Sequence, residues 1–256
     1  MKSNIKLIQE NEDFVVFSKP AGLVVHADGR TTEETVVDWL LEKHPTIDGV
    51  GEQMFLKIAD QEVEIKRPGI VHRLDRDTSG VMLAALNQEG FAELKNKFQG
   101  REIEKTYLAF VYGQPKADKG EVDAAIGRSP KDFRRWSAQR GARGNLRESI
   151  TEWFVISRFE DEKGEPFSLI AFKPKTGRTH QIRVHAKYMH HPIVSDPLYA
   201  GKRKPALGFD RQALHANFIE FEWRGDKKLF SADLPEDFKK VVEKYQLDLS
   251  TLEKIG

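Results

Sequence analysis

The densest run of chemistry-bearing side chains is His72-Arg73-Leu74-Asp75-Arg76-Asp77-Thr78-Ser79-Gly80, followed at once by the apolar run Val81 to Leu86. A turn that feeds a core strand is a rigid platform for a side chain that must be held still. Asp75 is flanked by Arg73 and Arg76. Nearby cations keep a carboxylate ionised, which suits a nucleophile and not an acid. Surface salt-bridge clusters in turns have the same composition, so the residues alone leave both readings open.

A second cluster runs from Lys173 to His185, with Gly177 in its middle and Arg178 and Arg183 after it. A strand, a Gly turn and a helix N-terminus in succession form a common anion site. His180, His185 and His190 are five residues apart. They miss the i, i+4 spacing of a helical zinc pair, and local carboxylates are few, so no metal is expected. No Gly-rich phosphate loop and no Gly-x-Ser-x-Gly elbow occurs.

The elements that must position these clusters follow from the hydrophobic pattern. Asp13 to Ser18 reads as a strand stopped by Lys19-Pro20-Ala21-Gly22. Thr31 and Glu34 form a capping-box pattern for a helix running to about Lys43. Residues 44–69 read as a loop with at most a short strand. Val81 to Leu86 is a buried strand, and Asn87 caps a helix carrying Phe91, Leu94 and Phe98. Ile103 to Tyr112 is a strand, and residues 114–150 an irregular insertion. Trp153 to Phe159 and Phe167 to Lys173 form a hairpin. Arg178 to His190 has helical spacing, Phe218 to Trp223 and Lys228 to Ser231 a last hairpin, and Glu236 to Tyr245 a closing helix. Strands outnumber helices and often adjoin, which predicts an α+β fold on a mixed, largely antiparallel sheet with flanking helices.

Composition narrows the function classes. The 256 residues contain no cysteine, which excludes disulfides, thiolate metal sites and a cysteine nucleophile. The longest uncharged apolar run, Val81 to Leu86, is far short of the ~20 residues that span a bilayer. The first ten residues have no apolar signal core, so a cytoplasmic location is expected. The formal charge is only +1, yet it is bipolar. Residues 128–147 carry seven basic side chains and one acid, interrupted by Phe133 and Trp136; residues 173–204 carry eight and one. Arginine interleaved with aromatics suits phosphate pairing and base stacking.

Taken together, the motifs are recognisable. His72 to Gly80 with the following Val-Met-Leu-Ala-Ala resembles the catalytic motif of the RluA-type pseudouridine synthases. Lys19 to His26 resembles that family's first motif, Glu104-Lys-Thr-Tyr107 its tyrosine motif, Lys173 to His185 its third, and His191 to Tyr199 the segment after it. They fall in the family's order over about residues 10–240. Histidine at position 72 favours this family over the related RsuA type. Ser195 stands where the family usually has glycine, Ala200 adds a residue before Gly201, and Glu222-Trp-Arg-Gly lacks the usual His-Pro.

The resemblance implies two subdomains flanking an RNA-binding cleft and the isomerisation of uridine to pseudouridine in structured ribosomal or transfer RNA, without metal or organic cofactor. It implies Asp75 as nucleophile, Arg183 as the cation paired with it, Tyr107 stacked on the uracil, and Arg73 filling the space left by the flipped nucleotide. Arg134, Arg135 and Arg178 are the expected backbone contacts. Residues 1–256 are expected to be one catalytic domain without an N-terminal S4 domain, and a monomer. The alternatives are an inactive RNA-binding or RNA-chaperone protein of the same fold, and a glycoside hydrolase. The latter would need a second carboxylate that the third motif does not supply.

Overall fold

The computed structural model describes residues 4–27, 32–58, 61–138 and 141–255. In chain order the first elements are β1 (Lys6–Glu10), β2 (Phe14–Lys19), α1 (Val36–Lys43), β3 (Phe55–Ile58), β4 (Gln61–Glu64), β5 (Ser79–Ala85) and α2 (Gln88–Gly100). Then come β6 (Glu104–Tyr112), β7 (Lys119–Asp123), β8 (Ile126–Arg128), β9 (Trp136–Ser137), β10 (Arg143–Arg147), β11 (Ile150–Glu160), β12 (Pro166–Pro174) and α3 (Gln181–Tyr188). The chain closes with β13 (Leu214–Trp223), β14 (Asp226–Ser231) and α4 (Glu236–Lys244). The α+β expectation holds, and the pairs β1–β2, β2–β5, β6–β12, β11–β12 and β7–β11 are all antiparallel. Among the described residues no helix is long and apolar enough to cross a membrane.

Two compact units divide the chain. One comprises residues 1–103 and 219–233, the other 104–218 and 234–256. In the first, every residue of β5 is buried, as are Phe14, Val15, Val16, Phe17 and Lys19 of β2. Strands covered on both faces read as continuous apolar runs, as these do. The Phe14 ring is fully buried and meets Phe221, Trp223 and Phe230 edge-on at 5.0–6.2 Å. Burying such a side chain contributes about 2–3 kcal/mol. The register pairs Lys19 with Gly80. The loop after β2 and the turn before β5 therefore leave the sheet at one end.

The helix cap differs from expectation. Thr31 lies outside the described residues, and the capping box is formed by Thr35 and Asp38: Thr35 N donates to Asp38 Oδ2 at 2.8 Å, and Asp38 N to Thr35 Oγ1 at 3.3 Å. Thr35 wins because Val36 and Val37 are already helical and buried behind it.

The second unit packs around Phe110, Phe209 and Phe238, whose rings lie 5.2–5.6 Å apart. The insertion is more regular than expected. Residues 119–123 pair with β11, and β10–β8–β9 form a separate three-stranded sheet. β10 is exposed at all five positions, so no alternation of polar and apolar residues marks it as a strand. The helix of the third motif is also shorter than its spacing predicts. Residues 178–180 form a turn, and His180 caps α3 with φ of +57°, a conformation costly for a residue with a Cβ.

Candidate active site

The first unit holds Asp75 and Arg73. Leu74 is buried and fixes the backbone just before Asp75, whose carbonyl accepts from Thr78 N at 3.1 Å to close a turn into β5. The loop after β2 is bonded to this turn. Lys19 is fully buried, and its Nζ donates to the carbonyls of Pro20, Leu23 and Arg76, each at 2.8 Å. Gly22 N donates to Arg76 O at 2.9 Å, and Arg76 Nε to Gly22 O at 3.1 Å. The Arg76 guanidinium also pairs with Glu33. Gly22 adopts φ of +85°, which the tight turn requires and glycine supplies cheaply. The backbone around Asp75 is thus clamped from both sides.

The two histidines of these motifs have structural partners that fix their tautomers. His26 Nδ1 lies 2.8 Å from Ala27 O and so carries the proton; its Nε2 then accepts from Arg73 Nη1 at 3.1 Å. That bond aims the exposed Arg73 side chain. His72 Nε2 accepts from Leu83 N at 2.8 Å, and its ring stacks on Phe98 at 4.6 Å. His72 therefore ties the Asp75 loop to β5 and α2 and is a scaffold residue.

The second unit holds Tyr107, Arg183, Arg178, Arg134 and Arg135. Tyr107 is half-buried on β6, opposite Phe172 of β12. Lys105, two residues earlier and so on the same side of the strand, has its ammonium pushed below the ordinary lysine value by burial. Arg183 lies in α3 and is buried. Its Nε donates to Asp196 Oδ2 at 2.7 Å and its Nη2 to Asp196 Oδ1 at 2.9 Å. This bidentate pair sets the plane of the guanidinium. Asp196 Oδ1 also accepts from the N–H groups of Leu198 and Tyr199 at 2.9 and 3.0 Å.

The rest of the third motif anchors α3. Gln181 Oε1 accepts from Thr176 Oγ1 at 2.7 Å and from Arg178 N at 2.9 Å, while its Nε2 donates to Ile150 O and Thr151 Oγ1, both at 2.9 Å. His185 is fully buried between Thr151 Oγ1 at 2.8 Å and Ala124 O at 3.0 Å, and desolvation pushes its pKa below the usual imidazole range. His180 Nδ1 meets Tyr199 OH at 2.8 Å, and Trp136 N donates to the same hydroxyl at 2.9 Å. His180 and His185 are thereby tied into hydrogen bonds of the fold; among the described residues no group of three metal-binding side chains gathers.

The expected RNA contacts are differently disposed. Asp132 grips Arg134 bidentately at 3.1 and 2.9 Å, which holds its own pKa at about 2, and it lies 3.2 Å from Arg135 Nε. Arg178 Nε donates to Glu148 O at 3.0 Å. The departure at Ser195 also has a structural counterpart: Ser195 has φ of +56°, the left-handed region that glycine enters freely. Its hydroxyl donates to Phe209 O at 2.9 Å and accepts from Ala206 N at 3.2 Å, which offsets the strain. Lys19 and Asp196 lie inside motifs named above but are assigned no role there. Each carries a signal. Lys19 ends an otherwise apolar strand, and Asp196 is the single acid of the second basic window.

Comparison with known proteins identifies the family. A family model described as RNA pseudouridylate synthase matches residues 13–188. An uncharacterised RNA pseudouridine synthase of Bacillus subtilis is 36% identical over 243 residues, covering 94% of this chain and 72% of that protein. A ribosomal large subunit pseudouridine synthase D of Xanthomonas campestris is 33% identical over 257 residues, covering 95% and 70%. The solved structure of human RNA pseudouridylate synthase domain containing 1 aligns with a TM-score of 0.69 at 25% identity, over 91% of this chain and 84% of that one.

Proposed function

The chain belongs to the RNA pseudouridylate synthase family and is an RNA pseudouridine synthase, and from that premise we propose that it isomerises uridines in structured ribosomal or transfer RNA with Asp75 as its nucleophile. In this reading the carboxylate of Asp75 attacks the sugar or assists departure of the base as the C1′–N1 bond breaks. The uracil turns in place, C5 bonds to C1′ and displaces the Asp75 carboxylate where it has bonded there, the C5 hydrogen leaves as a proton, and N1 takes one up. No atom is gained or lost overall. Arg183 is the cation that keeps Asp75 ionised. Tyr107 offers the detached uracil a face that demands no single orientation. Arg73 occupies the gap left by the extruded nucleotide, whose unstacking costs a few kcal/mol.

The observation that carries the reading is the clamped Asp75 turn, lying inside the segment that the family matches. A nucleophile that must meet one atom of a flipped nucleotide needs a fixed backbone, and Lys19, Gly22 and Thr78 supply it. The relatives named for the ribosomal large subunit favour ribosomal over transfer RNA. A cytoplasmic, monomeric enzyme completes the proposal. The test is a pseudouridine map of total RNA from cells with and without the gene. Loss of modification at discrete uridines supports the reading, and an unchanged map in all RNA classes refutes it.

A further inference from the structure

In the second unit, Lys131, Arg135 and Lys187 converge on a cavity of about 180 Å³ whose other walls include Trp136, Tyr188 and Tyr199. The three cations come from two segments more than fifty residues apart, the insertion and α3. Asp132 pairs with Arg134 and Arg135, but among the described residues neither Lys131 nor Lys187 has an ion pair. Burial, followed by the charges of Arg135 and Lys131, pushes the Lys187 ammonium below its ordinary value, against the pull of Asp196. Like charges gathered over an enclosed space cost free energy that an entering anion recovers.

Position and shape identify the anion. Lys187 follows Arg183 by four residues on α3, about 6 Å along the helix axis. Both cations reach the ring of Tyr199, at 6.0 and 5.0 Å from its centroid. The Tyr199 hydroxyl binds both His180 and the Trp136 backbone, which couples the cavity wall to the start of α3. Beside the cavity, Tyr188 is exposed, and Phe133 is 83% exposed. Solvent-facing aromatics next to cations match a strand of nucleotides better than a free inorganic anion.

We propose that this cavity is a phosphodiester subsite for the substrate RNA, taking the backbone phosphate of a nucleotide adjacent to the one handled at Arg183. The proposal rests on reading the chain as an RNA-modifying enzyme with Arg183 at the reacting centre, and it adds where the neighbouring strand is gripped. Each lysine of the subsite then contributes one phosphate contact.

The full chain, Lys187→Gln and Lys131→Gln are titrated with a fluorescent in vitro transcript of large-subunit ribosomal RNA at stepped KCl concentrations. Lys163→Gln, on the exposed turn closed by Gly164 N to Asp161 O, is the charge-matched control. The expected result is a salt slope shallower by about 0.7 for each of the two variants and unchanged for the control. A wild-type slope in both variants overturns the proposal, whatever the affinity, as does absence of RNA binding by the wild-type chain. Pseudouridine in the same transcript is scored separately. Shallower slopes without pseudouridine leave the subsite standing and remove large-subunit ribosomal RNA as the substrate; pseudouridine with unchanged slopes removes the subsite and leaves the proposed function standing.

Discussion

Replacing Asp196 by Asn tests how Arg183 is held. The Asp196 side chain is fully buried and that of Arg183 is 5% exposed, so their 2.7 Å contact is screened from water. Asn keeps one carbonyl oxygen, enough to serve the N–H groups of Leu198 and Tyr199. Its amide nitrogen then faces Arg183 Nε donor to donor, and the guanidinium loses its buried anion. Removing one partner of a buried pair costs about 3–5 kcal/mol, and the retained backbone bonds put this variant at about 3. For a chain of this length that is about 6–12 °C in Tm. Thermal unfolding followed by circular dichroism reads this directly. Turnover is read from tritium released from C5-labelled uridine in RNA, across pH. In the proposed role of Arg183 as the cation serving the Asp75 nucleophile, a displaced guanidinium lowers kcat throughout that range. A variant that melts with the wild type and keeps its kcat refutes the role assigned to Asp196.

Three further outcomes follow from the scaffold. Lys19→Met removes the Nζ bonds to three carbonyls and is expected to cost about 2–4 kcal/mol in urea unfolding, with loss of turnover; wild-type stability contradicts the clamp. His72→Leu leaves the Leu83 N–H without its acceptor, at about 1–3 kcal/mol, and faster hydrogen exchange at that amide is the check; unchanged exchange contradicts the bond. His185 has a depressed folded-state pKa, so its contribution is complete above the unfolded imidazole value of about 6.5 and is lost as pH falls toward the folded value. His185→Gln is therefore expected to flatten the fall in Tm between about pH 7 and 5, and an identical profile contradicts the buried neutral ring.

The Asp75 turn was legible because its chemistry is local: charged side chains and a β-turn lie within nine residues of a buried strand. The strands β2, β5, β6 and β12 were legible because each buries an apolar run, and β11 because its Trp153 to Ile156 stretch is apolar although only Trp153 of it is buried. The clamp by Lys19 was not, since it depends on the register that sets Lys19 opposite Gly80. Nor was the Arg183–Asp196 pair, which bridges thirteen residues through a left-handed Ser195. Each basic window contains one acid, and in both cases that acid grips arginines of its own window, Asp132 holding Arg134 and Arg135 and Asp196 holding Arg183. A lone acid among many cations is thus a positioning signal that net charge conceals. The sheet β10–β8–β9 stayed hidden because β8 and β9 span only three and two residues, too short to show a period, and β10 is exposed throughout.

The proposal that Asp75 performs the reaction is tested most directly by Asp75→Asn. Purified variant and wild type are given the same C5-tritiated, unmodified RNA transcript, with tritium release and RNA affinity measured side by side. The nucleophile role predicts no detectable tritium release and RNA affinity close to wild type, because Asn preserves size and removes only the charge. Tritium release at the wild-type rate from the Asn variant contradicts it.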